Sequence, residues 1–74
     1  MGKTRPRITN NIRALRFNQG EMTQSALADE VGVTRQTVYA IEKNKYSPSL
    51  EVAFRIAQVF SVSLDEVFQY QPEE

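Results

Sequence analysis

Apolar residues recur at intervals of three and four along most of the chain, which is the spacing of amphipathic helices. Residue types that cap helix N-termini precede each apolar stretch: Thr9 or Asn10, then Thr23, Thr34, Ser49 and Ser63. The pattern predicts five helices in an all-α domain. Their apolar positions are Ile12, Leu15 and Phe17; Leu27, Ala28 and Val31; Val38 and Ile41; Leu50, Ala53, Ile56, Ala57 and Phe60; and Leu64, Val67 and Phe68.

Residues 24–43 have the spacing of two short helices joined by a tight turn. Gly32 stands where the turn needs a positive φ, and Ala28 is small enough to let the two helices cross closely. Asn44 follows the second helix and tolerates the left-handed conformation expected after a helix C-terminus. This stretch therefore predicts a helix-turn-helix.

The second helix of this unit presents polar residues on the side away from its apolar positions. Arg35 and Gln36 begin it, and their side chains match the hydrogen-bonding edges of guanine and adenine in the major groove of DNA. As an alternative, they are solvated surface residues or bind only phosphate. We expect base contacts from Arg35, Gln36, Thr37, Tyr39 and Ala40.

The two ends of the chain lack helical spacing. Residues 1–7 are basic and contain Pro6, so they form either a flexible arm or the lead-in to a strand. Residues 63–66 read Ser-Leu-Asp-Glu, the pattern of a capping box, and start the last helix. In the tail, residues 68–74, β-favouring residues alternate before Pro72 and predict a short strand. Residues 1–74 are expected to form a single domain.

The 74-residue chain contains neither cysteine nor histidine. It therefore lacks disulfides, thiolate ligands and the commonest general base, and no P-loop or paired carboxylates indicate a catalytic centre. We expect no enzymatic activity, no cofactor and no metal site. No apolar run approaches the roughly 20 residues of a membrane span, and the N-terminus lacks the apolar segment of a secretory signal. A soluble cytoplasmic protein is expected.

Charge is divided unevenly along the chain, although the formal net charge is zero. Residues 1–45 contain eight lysines and arginines against four acidic residues, whereas residues 46–74 contain one arginine against five acidic residues. The division favours a basic face toward DNA and an acidic face away from it. Chance segregation of surface charge is the alternative.

Two long segments, MTQSALADEVGVTRQTVYAIEKNKYSPSL and AFRIAQVFSVSLDEVF, resemble the phage-repressor and Cro-like family of helix-turn-helix regulators, the type named for the Xre repressor. The resemblance covers about residues 10–70. It departs from the family pattern at Gly20-Glu21-Met22, which carries one extra residue between the first two helices. It also departs at Asn44, where glycine is frequent.

The resemblance implies a five-helix repressor-like bundle with a small antiparallel two-stranded sheet from the N- and C-terminal segments. Arg7–Thr9 and Phe68–Gln71 would be the two strands. It also implies a structural ion pair between Glu42, which ends the third helix, and an arginine of the first helix. Arg16 is the preferred partner and Arg13 the competitor.

The candidate site extends beyond the base-contacting residues, to a helix N-terminus and to the loop after the third helix. The residues expected to contact DNA phosphates are Gln24, Thr34, Lys43, Asn44, Lys45 and Tyr46. For Gln24 and the lysines, the alternative is an ordinary exposed side chain. The residues expected at a dimer interface are Phe54, Val59, Leu64, Phe68 and Tyr70.

These features imply a homodimeric repressor that binds a palindromic operator in double-stranded DNA, with no membrane and no small-molecule ligand as partner. The alternative function is an antitoxin or adaptor module whose main partner is another protein. Antitoxins of this fold usually carry a toxin-binding extension, and the sequence shows none.

Overall fold

Five helices and two short strands make up residues 7–71, the part of the chain that the computed structural model describes. Residues 1–6 of the predicted arm and residues 72–74 of the predicted tail lie outside the described residues. The elements confirm a mainly helical domain with a small antiparallel sheet. In chain order they are β1 (Ile8–Asn10), α1 (Ile12–Asn18), α2 (Gln24–Val31), α3 (Arg35–Glu42), α4 (Leu50–Phe60), α5 (Leu64–Val67) and β2 (Phe68–Tyr70).

Side-chain caps begin three of the helices as the sequence predicts. The Thr23 hydroxyl accepts a hydrogen bond from the Ala26 N–H at 3.0 Å, and the Thr34 hydroxyl accepts one from the Thr37 N–H at 3.1 Å. Ser49 caps α4 in the same way. Each cap satisfies a backbone donor that the helix itself leaves unpaired, so α2, α3 and α4 begin where the sequence places them.

The other two helix starts match the prediction only in part, because the predicted cap Asn10 lies one residue before the N-cap position of α1 and the capping box at Ser63 is absent. Asn11 occupies the N-cap position of α1 and makes no side-chain cap, while the Asn10 side chain accepts the Ile12 N–H. Ser63 precedes α5, but its hydroxyl bonds the carboxylates of Asp65 and Glu66 instead of a backbone N–H. Two carboxylates near one hydroxyl compete as charged acceptors, so the capping box predicted here does not form.

Left-handed residues make the sharp turns between helices. Gly32 has φ +88° and Asn44 has φ +60°, which confirms both predictions. Two consecutive residues between α1 and α2, Gly20 and Glu21, are also left-handed. Ser61 ends α4 with φ +57°, a third position at which a residue other than glycine adopts this conformation.

The core is formed where α1, α2, α3, α4 and α5 converge. Its buried members are Ile12, Leu27, Ala28, Val31, Val38, Ile41, Ile56, Ala57, Phe60 and Val67. Two of the predicted apolar positions are wrong: Leu50 is 67% exposed and Phe17 is 66% exposed. Leu50 is the first residue of α4 and Phe17 lies next to the last residue of α1, so neither has a neighbouring helix over it.

The terminal sheet joins the two ends of the described chain. β1 and β2 pair antiparallel with Ile8 opposite Tyr70, Thr9 opposite Gln69 and Asn10 opposite Phe68. β1 therefore begins one residue later than Arg7, although the Arg7 carbonyl still accepts a hydrogen bond from the Gln71 N–H. A ribbon this short is marginal by itself, so it depends on the helices beneath it.

Replacing Gly32 by alanine should lower the free energy of unfolding by about 1 kcal/mol, because an L-residue is strained in the left-handed region. The added Cβ would lie 3.5 Å from the Arg55 guanidinium, an ordinary contact, so backbone strain and not collision causes the loss. Urea unfolding followed by circular dichroism measures the change.

Ser61→Gly is the matched control, since it relieves the same strain at φ +57°. Its free energy of unfolding should be unchanged or slightly higher. Relief of strain stabilises the folded state, but glycine also gives the unfolded chain more conformational freedom, which offsets part of that gain. A Gly32→Ala variant as stable as the wild type would contradict the left-handed turn.

Candidate nucleic-acid interface

The helix α3 turns one face toward the core and the opposite face toward solvent. Val38 and Ile41 are buried, and Glu42 lies beside them facing α1. Successive residues of a helix are about 100° apart, so Gln36, Tyr39, Ala40 and Lys43 form a single stripe on the opposite side. Gln36, Tyr39 and Lys43 are exposed, and Ala40 between them is half-buried. We call α3 the recognition helix.

The side chains on this stripe are available to a partner. Across residues 7–71, no hydrogen bond engages the Gln36 amide, so both its donor and its acceptor point outward unpaired. Lys43 Nζ lies 5.7 Å from the centre of the Tyr39 ring, a cation–π distance that groups the two side chains at one end of the stripe. Thr37 lies at the edge, with its hydroxyl 2.9 Å from that of Thr34.

An ion pair fixes the recognition helix to α1. Arg16 Nε donates to Glu42 Oε2 at 2.6 Å, and Arg16 Nη2 donates to Glu42 Oε1 at 3.1 Å, so the contact is bidentate. The Arg16 side chain is 14% exposed and that of Glu42 is 8% exposed. Arg16 also donates to the Met22 carbonyl at 2.8 Å. Arg16, and not Arg13, is therefore the partner of Glu42.

Gln24, at the start of α2, connects this ion pair to the start of the recognition helix. Its Nε2 donates to Glu42 Oε1 at 3.1 Å, and its Oε1 accepts from Arg35 Nη1 at 3.2 Å. A carboxylate can only accept and a guanidinium can only donate, so the two partners fix the orientation of the amide. Gln24 thus restrains Arg35; phosphate contact from Gln24 stays a prediction.

The C-terminal end of the recognition helix closes in a tight turn. The Lys45 N–H bonds the Ala40 carbonyl at 2.9 Å and the Asn44 N–H bonds the Ile41 carbonyl at 3.0 Å, the paired bonds of a Schellman motif. The turn leaves Lys45 and Tyr46 exposed next to Lys43, the last residue of the outward stripe. Thr34 is exposed at the opposite end. The residues expected to bind phosphate therefore flank the stripe on both ends.

Asn10 belongs to this region, although its position in the sequence indicates only a helix cap. Its Nδ2 donates to the Ile41 carbonyl at 2.9 Å and to Asn44 Oδ1 at 3.0 Å. The partners lie 31 and 34 residues away in the chain. No periodicity or local motif connects such distant residues, so the contact had no signal in the sequence.

The residues expected at a dimer interface separate into groups. Leu64 and Phe68 line one groove together with Ile8, Pro48, Leu50 and Ala53. Phe54 is exposed one turn after Leu50 on the same side of α4. Val59 lies about 140° around α4 from Phe54 and is half-buried against the core, so it does not join this group. Tyr70 lies on the sheet, near the end of the recognition helix.

None of the helices within residues 7–71 has the length and apolar content that a bilayer span requires. Over the same residues, no group of three or more acidic side chains lies close enough together to hold a metal ion.

Comparison with known proteins finds one family that matches most of the chain. A helix-turn-helix family model matches residues 12–67. The chain is 46% identical to an uncharacterized HTH-type transcriptional regulator of Archaeoglobus fulgidus over 67 residues, which is 90% of this chain and 94% of the relative. It is 45% identical to a second such regulator, YgzD of Bacillus subtilis, over 89% of this chain and 98% of the relative.

A solved structure shares the fold. The crystal structure of a Bacteroides fragilis protein, provisionally described as DNA-binding, matches with a TM-score of 0.71. The match covers 84% of this chain and 98% of that one at 22% sequence identity. At this identity the likeness establishes the fold alone.

Removing the carboxylate of Glu42 should destabilise the whole domain. In Glu42→Ala, Arg16 loses its charged partner in a nearly buried position, which typically costs about 3–5 kcal/mol. Thermal and urea unfolding of the variant measure the loss.

Glu51→Ala is the matched control, because Glu51 pairs with Arg55 at 2.8 Å on the exposed side of α4. That variant should lose about 0–1 kcal/mol. Equal effects of the two substitutions would show that the Arg16–Glu42 pair does not hold the fold together.

Proposed function

Because the chain belongs to the phage-repressor and Cro-like family of helix-turn-helix proteins, we propose that it is a homodimeric transcription repressor that binds a palindromic site in double-stranded DNA. The observation that carries the proposal is the outward stripe of the recognition helix. Its amide, aromatic and cationic groups lie on one face, opposite a face that is buried in the core.

The first turn of the recognition helix supplies the base readers. Gln36 pairs its free amide with adenine, and Arg35 donates to guanine, each contributing about 1–3 kcal/mol of discrimination against the wrong base. Arg35 uses one N–H on Gln24 and keeps the others for DNA. Ala40 is small and lets the helix approach the groove floor, while Thr37 and Tyr39 contact thymine methyl groups or phosphates at its edges.

Groups at the two ends of the recognition helix bind the DNA backbone. Lys43, Lys45, Asn44 and Tyr46 follow the helix, and Thr34 precedes it. Cations at the edge of the groove attract phosphates and give affinity that falls with salt but does not depend on sequence. The cations beside the recognition helix therefore face DNA, and the acidic residues of α4 and α5 lie on the part that carries the dimer contacts.

The dimer interface is the apolar face formed by Ile8, Leu50, Phe54, Leu64 and Phe68. Leu50, Phe54 and Ile8 are each more than two-fifths exposed. They adjoin the groove between α4, α5 and the terminal sheet, and contiguous apolar surface of this kind marks an association site. A second copy is the fitting occupant, because one recognition helix reads only a few base pairs and a two-fold pair reads two half-sites.

Selection of bound duplexes from a random DNA pool tests the proposal. A palindromic consensus is the expected result, and no enrichment at low salt would overturn it in favour of a protein partner. Placing the consensus between a promoter and a reporter gene then tests repression. Expression should fall when the protein is present, and increased expression would contradict a repressor.

Substitutions in the first turn of the recognition helix should change specificity, whereas substitutions at and after its C-terminal end should change only affinity. Gln36→Ala or Arg35→Ala should cost about 1–3 kcal/mol on the preferred duplex and relax the choice at one base position. Fluorescence anisotropy with the consensus and its single-base variants measures both quantities.

Lys45→Ala and Lys43→Ala are the comparison variants. Each should weaken binding to all duplexes alike and reduce the slope of log affinity against log salt by about 1. The docking is wrong if the lysine variants change the consensus while the Arg35 and Gln36 variants preserve it.

A charge on the apolar face should separate the dimer. Leu50→Glu places a carboxylate where the second copy would bury it, so the protein should become monomeric at micromolar concentration and lose affinity for the full palindrome. Light scattering gives the mass in solution.

Phe17→Glu is the matched control, since Phe17 is as exposed as Leu50 but lies on α1, away from the groove. It should stay dimeric. A wild type that is already monomeric at this concentration would refute the dimer, and a dimeric Leu50→Glu variant would refute this face.

A further inference from the structure

The Asn10 side chain ties the terminal sheet to the end of the recognition helix. Both N–H groups of its amide are used, one on the Ile41 carbonyl at 2.9 Å and the other on Asn44 Oδ1 at 3.0 Å. Its oxygen accepts the Ile12 N–H at 3.1 Å. Because both donors and the acceptor of the amide are hydrogen-bonded, the side chain cannot rotate freely. It connects β1 to the start of α1 and to the end of the recognition helix.

The register of the sheet explains why this side chain meets the recognition helix. Ile8 and Asn10 lie on the same face of β1, and their partners Tyr70 and Phe68 lie on that face of β2. These four side chains line a groove of about 210 Å³ together with Ile41, Asn44 and Tyr46. The groove leaves space between the sheet and the helix end, and Asn10 makes direct hydrogen bonds across it.

We propose that Asn10 is a positioning residue that fixes the angle between the terminal sheet and the recognition helix, and so sets the half-site separation that the dimer accepts. The proposal rests on the homodimer proposed above, whose interface includes Ile8 and Phe68 of the sheet. In that dimer Asn10 links the sheet, which supplies part of the interface, to the C-terminal end of the helix that carries the base readers in its first turn.

The geometry of a dimer on DNA makes this angle important. Two recognition helices must lie about 34 Å apart, or about 17 Å each from the dimer axis, so a rotation of about 5° of a recognition helix about that axis, relative to its own terminal sheet, moves it by about 1.5 Å. That displacement is enough to misplace a hydrogen bond to a base edge. The hydrogen bonds of Asn10 connect the sheet directly to the end of the recognition helix and so restrict this rotation. The connecting loops would not restrict it by themselves.

Asn10→Asp separates this role from helix capping. The carboxylate keeps an acceptor for the Ile12 N–H, but it sets an oxygen against the Ile41 carbonyl and Asn44 Oδ1, where the amide donated. Asn10→Ser is the second variant, because its hydroxyl keeps an acceptor near Ile12 without a charge and is too short to bridge to Ile41. Asn11→Ala is the control, since Asn11 donates to the Glu66 carbonyl at 3.1 Å, toward α5 and not toward the recognition helix.

The experiment measures affinity for three palindromic duplexes that carry the half-site selected by the wild type. One duplex has the preferred separation between half-sites, and the other two have one base pair inserted or removed between them. We expect the wild type to bind the altered spacings about tenfold more weakly or worse, and the two Asn10 variants to reduce that penalty to about threefold. The Asn11 variant should keep the wild-type penalty. A purely stabilising role for Asn10 would lower the melting temperature and weaken binding to every spacing equally.

The possible outcomes distinguish failure of the homodimer from failure of the positioning role of Asn10. If the wild type selects no palindrome of fixed spacing, the homodimer and the role of Asn10 both fail. If the wild type prefers one spacing, and Asn10 variants that are folded and dimeric keep the full penalty, the positioning role is wrong and the homodimer stands.

Discussion

A guanidinium and a carboxylate lie together where α1, α2 and α3 meet, and removing both from water is costly unless every polar atom finds a partner. Here the partners are present. Arg16 reaches both oxygens of Glu42 and the Met22 carbonyl, and Gln24 adds a donor to Glu42. Because the pair joins the first helix to the third, the outward face of α3 has one defined direction. The same network continues through Gln24 to Arg35, so it joins the interior of the domain to the surface proposed to read DNA.

The charge distribution fits this arrangement although the chain is neutral overall. Nonspecific attraction to phosphates depends on the local field and not on the sum over the protein. Arg35, Lys43 and Lys45 lie in or directly after the recognition helix, and the later half of the chain, which supplies most of the apolar face, is acidic. In the proposed complex, a modest field of this kind would give moderate nonspecific affinity, and hydrogen bonds from Arg35, restrained by Gln24, and from the Gln36 amide would supply a larger share of the discrimination.

Local chemistry made much of the fold predictable. The caps at Thr23, Thr34 and Ser49 and the left-handed positions at Gly32 and Asn44 each depend on a few neighbouring residues, so the sequence pattern located them. Features that depend on distant segments were missed. Helical spacing does not reveal that no element covers Leu50 or Phe17, and the contacts of Asn10 and Gln24 cross between elements. The Ser63 capping box failed because two adjacent carboxylates attract the same hydroxyl.

If the network around Glu42 orients Arg35 for reading a base, Gln24 and Arg35 act together in recognition, and a double-mutant cycle between them tests this most directly. Binding of the wild type, Gln24→Ala, Arg35→Ala and the double variant is measured on the consensus duplex and on one altered at the base that Arg35 reads. The account predicts that Gln24→Ala weakens discrimination at that same base and that the double variant loses no more than Arg35→Ala alone, a coupling of about 0.5–3 kcal/mol. Additive losses, or a Gln24→Ala variant with unchanged discrimination, would contradict it.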